Sequence, residues 1–448
     1  MTVQVLLPAS RELIVQAKSL STINRISMCE GTNSFQSRLK SSRQNPLSPF
    51  RAFLSVLGPA WIVMIADVDA ASVITAAESG ARFGYHMAFI LLVLIVPLFF
   101  IQEASGRLGI ITGKGLAAII RDQYSQKMAI MASFPMFATD FLSYVVEYTG
   151  IAVGLSVLGI PPIVSLPIAF IFHSALVFTG SYRNTERLLL LVTGVLLSSY
   201  VLAAILVKPD IKGLLGMALT PIHPYLDRSF SYMVAANVGA VIMPWMLFYQ
   251  AGAVAQKGLN RSQISHERLE TLLGAVASEI IMIAIVVVSS SLGAVDFLSP
   301  TSLAAALKPL AGGYAYVLFG VGLTSASFLA LVVISLASTW GIAEALGWRA
   351  RIGERFSLAR NFYIVYLLET LPAVLIPFFF TDLVKLMLNL MVIFVFVLIF
   401  PAVLQGILSS NKGVMGKDAM KGAWKMAYWL MLGLVLLSGV LAIPALLS

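Results

Sequence analysis

The chain has 448 residues, 59% of them hydrophobic and 11% charged, with a mean hydropathy of +0.90. Soluble domains carry roughly 25% charged residues, so one aqueous core cannot hide this much apolar surface, and lipid must solvate much of it. The net charge of +9 comes from 30 Lys and Arg against 21 Asp and Glu, and the single cysteine, Cys29, excludes an internal disulfide and any Cys-based zinc or iron–sulfur site.

Residues 1–50 are rich in Ser, Asn, Gln and Arg. The stretch LLPASRELIVQA is too short and too charged for a secretory signal, so 1–50 reads as a disordered cytoplasmic tail; Met28 offers an alternative start. Residues 51–448 read as one transmembrane domain. Taking roughly 20 apolar residues per crossing, the sequence predicts eleven spans, at about 54–78, 86–106, 129–156, 162–180, 185–207, 230–256, 269–294, 312–345, 361–380, 383–408 and 424–447. The eighth is long enough to bend or leave the bilayer near Trp340. With the N-terminus in the cytoplasm and strict alternation, 24 of the 30 Lys and Arg fall on the inner side. That is a positive-inside bias, which explains the net charge without nucleic acid and sends the C-terminus outside.

Two spans are interrupted. The first reads WIVMIADVDAASVITAAESG, with two carboxylates in mid-membrane, and the sixth reads VAANVGAVIMPWMLFYQAGAV, with Pro244 at its centre. They open two five-span sets, about 54–207 and about 230–408, with 424–447 as an extra helix. Paired interruptions in corresponding spans point to an inverted-repeat transporter. Asp69 is the foremost candidate site residue, because a carboxylate at the bilayer centre costs at least ~2.5–3.5 kcal/mol and persists where it meets a cation or a water path. Asp67, two residues away, is about 200° round a regular helix and shares no ligand with Asp69 unless the helix unwinds. Ser72 offers a hydroxyl ligand or a cap for a second half-helix. Pro244 removes an amide donor and frees carbonyls around Ala240, while the Met243 thioether is either a soft ligand or core packing.

Glu78, Glu103, Asp140, Glu147 and Glu279 also fall in or near apolar runs. Asp140 and Glu147, seven residues apart, share one face of the third span; they line a polar path or tie helices together. The four histidines, His86, His173, His223 and His266, lack metal-ligand spacing, and no set of nucleophile, histidine and acid supports enzyme chemistry.

The segment from Gly58 to Tyr124, with GPAW, ADVDAAS, RFGYH, QEASGRLG and TGKG in order, resembles the first two spans and following loop of the NRAMP (natural resistance-associated macrophage protein) metal transporters. AVIMPWMLFYQAG resembles the family's sixth-span Ala-x-x-Met-Pro segment. The resemblance implies an all-α polytopic protein with the leucine-transporter fold, a 5+5 inverted repeat broken in its first and sixth spans, and divalent metal transport by alternating access. It implies Asp69, Ser72, Ala240 and Met243 as the metal site. The family's Asp-Pro-Gly-Asn break is here Asp69-Ala70-Ala71-Ser72, so the acid is kept and the amide ligand becomes a hydroxyl.

Trp245 and Gln250 stand where the family has histidines, Tyr144 where it has an aspartate of the proton path, and Val365 and Tyr366 where it has paired arginines. Loss of these titratable groups implies transport without proton coupling, as in the NRAMP-related magnesium transporters. Asp67, Asp140, Glu147 and Gln250 are candidates for an accessory polar path. The expectation is uptake of Mg²⁺ or Mn²⁺ as substrate, with no cofactor and no obligate protein partner, in a cytoplasmic-type membrane. The alternatives are a proton-coupled Mn²⁺/Fe²⁺ symporter of the same family, and a sensor that kept the fold and lost transport.

Overall fold

The computed structural model describes residues 58–179, 181–218, 228–292, 295–299, 302, 313–349, 356–379 and 383–446. The predicted tail at 1–50 lies outside them. Every described regular element is a helix: α1 Pro59–Ala66, α2 Ala70–Phe83, α3 His86–Thr112, α4 Leu116–Gln123, α5 Gln126–Val157, α6 Pro162–Thr179, α7 Tyr182–Leu206, α8 Ile211–Ala218, α9 Arg228–Val241, α10 Pro244–Lys257, α11 Ile264–Ser290, α12 Gly313–Leu346, α13 Arg360–Leu375, α14 Val384–Ser410, α15 Lys412–Met415 and α16 Gly422–Leu446. Helices are the expected answer for chains in lipid, where backbone polar groups must be satisfied within the segment. The helix ends follow from local sequence. Ser125 and Ser181 cap α5 and α7 through their hydroxyls, and the left-handed Gly113 and Gly258 close α3 and α10.

Among the described residues nine helical stretches are long and apolar enough to cross a membrane, α9 and α10 together forming one of them, and ten spans result when the bent pair α1–α2 is also taken as one. The fourth predicted span, α6, is apolar but shorter than that standard, so the count of eleven is not established by length and composition. The eighth span runs through Trp340 without interruption as one helix, α12, of 34 residues. Trp340 is buried and stacked on Tyr249, with ring centroids 5.7 Å apart.

Polarity is inverted relative to a soluble protein. Large apolar side chains such as Ile163 (69% exposed) and Met426 (70%) face outward, whereas Asp69, Asp140, Glu147, Glu279 and Glu369 are buried. Outward apolar groups are solvated by acyl chains; inward acids face protein or a cavity.

The packing repeats under exchange of the two halves. α1 and α2 pack on α11 as α9 and α10 pack on α3; α5 meets α14 as α12 meets α7; α5 and α12 make the most extensive contact. The extra helix α16 lies on α9 and α14. The start of α1 is pinned across the molecule, because Gly58 N (2.6 Å) and Trp61 N (2.9 Å) both donate to one carboxylate oxygen of Glu270 on α11. Beside it Lys257 pairs with Glu186 at 2.8 Å.

Candidate metal site

The first break lies at 67–69. Asp67 keeps helical angles (φ −60°, ψ −29°) as the last cap of α1, whereas Asp69 turns extended (φ −85°, ψ −178°) and begins α2 at a bend of 51°. One Asp69 oxygen accepts the Ser72 amide at 2.7 Å, an N-cap that holds the carboxylate at the positive end of α2. Its other oxygen, Oδ2, is buried and has no protein donor. Leaving a charged oxygen so placed costs on the order of several kcal/mol unless a cation or proton meets it.

The second break lies at Ile242 and Met243, between α9 and α10. Its cause is plain in the sequence. Residue 244 would donate to the carbonyl of residue 240 in a continuous helix, but proline has no N–H. The Ala240 carbonyl therefore turns elsewhere and accepts the Ser72 hydroxyl at 3.0 Å. This single hydrogen bond brings the two breaks together, and with them three of the four predicted ligands: Asp69, Ser72 and Ala240, all buried. Met243 sits in the same gap, but its sulfur accepts the Trp245 indole N–H at 3.0 Å, which occupies one of its lone pairs.

Glu147 joins this group from α5. Its Oε2 accepts the Ala70 amide at 3.1 Å, Oε1 has no donor, and the carboxylate lies near enough to Asp69 to feel its charge. The approach is close because of Gly150: a Cβ there would fall 2.6 Å from that of Ala70.

The other predicted residues lie apart. Asp67 faces Glu279 of α11, whose two carboxylate oxygens lack donors. Gln250 donates to Glu267 (2.6 Å) and Thr271 (3.1 Å), tying α10 to α11. Tyr144 donates to Glu369 on α13 at 3.2 Å, and Asp140 lies one turn before it on α5. Tyr366 bonds Ser174 at 3.2 Å, and Val365 is a half-buried apolar residue. Glu369 and its second partner, Ser338 (3.2 Å), escaped the sequence reading. The available signal was a lone acid in the apolar run YLLETLPAVL. Among the described residues no cluster of three or more His, Cys, Asp or Glu side chains is arranged to hold a metal; the candidate site is one carboxylate with a carbonyl, a hydroxyl and a thioether.

Comparison with known proteins follows this geometry. The family model described as natural resistance-associated macrophage protein-like matches residues 60–444. The divalent metal cation transporter MntH of Yersinia pestis (strain Pestoides F) is 28% identical over 298 residues, covering 63% of this chain and 71% of that protein. The crystal structure of a mutant of the Eremococcus coleocola manganese transporter superposes with a TM-score of 0.76 at 18% identity, covering 90% of this chain and 88% of that one. MhsT in complex with L-phenylalanine shares the fold at a TM-score of 0.58 and 12% identity, covering 90% of this chain and all of that one. The architecture is thus the leucine-transporter fold, and the chain belongs to the natural resistance-associated macrophage protein family of membrane transporters, not to any class of enzyme.

Proposed function

We propose that this protein carries a divalent cation across a cytoplasmic-type membrane by alternating access, with Asp69 supplying the formal charge of the binding site. The observation behind this is the bond from Ser72 to the Ala240 carbonyl, set beside an Asp69 oxygen with no donor. A cation entering here has a carboxylate, a freed carbonyl and a hydroxyl within one gap between half-helices, the arrangement by which broken helices bind ions. Similarity to a protein named as a divalent metal cation transporter supports the same reading. We assign the N-terminus to the cytoplasm from the loop charges, with repeats at about 54–207 and 230–408.

We further propose that Mg²⁺ and Mn²⁺ are both carried, Mg²⁺ slightly ahead. Mg²⁺ sheds water reluctantly and wants oxygen ligands. Ser72 is smaller than an amide and leaves room for a retained water. The Trp245 hydrogen bond to the Met243 sulfur blunts the one soft donor, which would otherwise favour Mn²⁺. Transport is uncoupled from protons in this reading, because the family's titratable positions hold Trp245, Gln250, Tyr144, Val365 and Tyr366. Glu147, buried beside Asp69, is the observation that favours the rival reading of a proton-coupled symporter.

Asp69→Ala should lose more than about 100-fold in metal affinity, or roughly 2.8 kcal/mol at 1.4 kcal/mol per tenfold, and abolish uptake into proteoliposomes while the protein stays monodisperse. Near wild-type uptake would remove the site. Ser72→Asn should lower Mg²⁺ uptake more than Mn²⁺ uptake in paired competition assays; an unchanged ratio would end the case for ranking Mg²⁺ first. In wild-type vesicles carrying a pH-sensitive dye, metal entry should leave lumenal pH steady, whereas metal-driven acidification would return the protein to the coupled class with Glu147 as the first suspect.

A further inference from the structure

A second group of polar side chains lies further along α5. Glu147, Tyr144 and Asp140 fall at successive turns of one face, so Asp140 is about 10 Å along the axis from Glu147. Opposite Asp140 stands Glu369 on α13, and Ser338 comes in from α12; all are buried. Tyr144 and Ser338 each donate a hydroxyl to a different oxygen of Glu369, both at 3.2 Å. Glu369 thereby accepts at both oxygens. Glu369 feels the charge of Asp140, whose own two oxygens receive no hydrogen bond although the Ser338 hydroxyl lies within reach.

The ion pairs among the described residues all lie elsewhere, so neither carboxylate has a basic partner among those residues. Two buried carboxylates facing each other without a base are costly, and a positive charge between them removes the cost. The donors are all oxygen: two carboxylates, a hydroxyl and a phenol. Such a set suits hard divalent ions, unlike the thioether-containing gap at the helix breaks.

We propose that Asp140 and Glu369, with Ser338 and Tyr144, form a second, all-oxygen site for a divalent cation, one station along α5 from Asp69. Binding there does not depend on the transport reading; its role as a station on the ion's route does.

The test is equilibrium titration of the full-length protein in lipid nanodiscs with Mn²⁺ alone, free ion being read by electron paramagnetic resonance. Wild type should bind two ions per chain, Asp69→Ala one, Asp140→Asn with Glu369→Gln one, and the triple variant none. Mg²⁺ should displace the ion that survives in Asp69→Ala. A wild-type stoichiometry of one that vanishes in Asp69→Ala, or a carboxamide double variant that binds as wild type does, overturns the proposal; in that case the pair holds only a proton. Loss of one ion in the double variant together with no effect of Asp69→Ala would uphold this site and instead sink the one at the helix breaks. Should the double variant not fold, Ser338→Ala in the Asp69→Ala background decides: a drop of about tenfold or more in the remaining Mn²⁺ affinity supports the site, and an unchanged affinity overturns it.

Discussion

The hydroxyl of Ser72 bonded to the carbonyl of Ala240 is the contact on which the rest of this structure turns. It exists because Pro244 cannot supply the amide that Ala240 would otherwise accept. It forms between these two spans because each is unwound at the same place in the fold. Asp69 completes the arrangement by capping α2 with one oxygen and leaving the other without a donor. Half-helix ends concentrate partial charge, and a site built from them needs few side chains. In the proposed site a single carboxylate therefore stands with backbone and neutral side-chain groups.

The surrounding architecture offsets the expense of such a site. Apolar side chains face lipid, while buried acids are held by amides and hydroxyls from neighbouring helices: Glu147 by Ala70, Glu270 by Gly58 and Trp61, Glu369 by Tyr144 and Ser338. The Glu270 contact ties the start of the first half-helix to α11.

Much of this was legible in the sequence. The helices coincide with the apolar runs because a bilayer imposes a length and a polarity that few other environments do. The breaks announced themselves through Asp69 and Pro244, whose cost in a membrane is not tolerated without a reason. What stayed hidden depends on contacts between distant segments. Trp245 reads as the loss of a histidine, and only geometry reveals that its indole engages the Met243 sulfur. Glu369 reads as one acid in an apolar run until α5 and α12 deliver Tyr144 and Ser338 to it. Trp340 lies in a span long enough to suggest a bend or an exit from the bilayer, and only the structure shows its ring stacked on Tyr249 within the continuous helix α12.

The most direct test of the account is an anomalous-scattering map from crystals of the full chain grown with Mn²⁺. The account predicts a peak in the gap between the two breaks, within coordination distance of an Asp69 carboxylate oxygen and the Ala240 carbonyl, with the Ser72 hydroxyl turned from Ala240 toward the ion. A map with Mn²⁺ bound elsewhere in the protein and that gap empty, its Ser72 to Ala240 hydrogen bond intact, would contradict it.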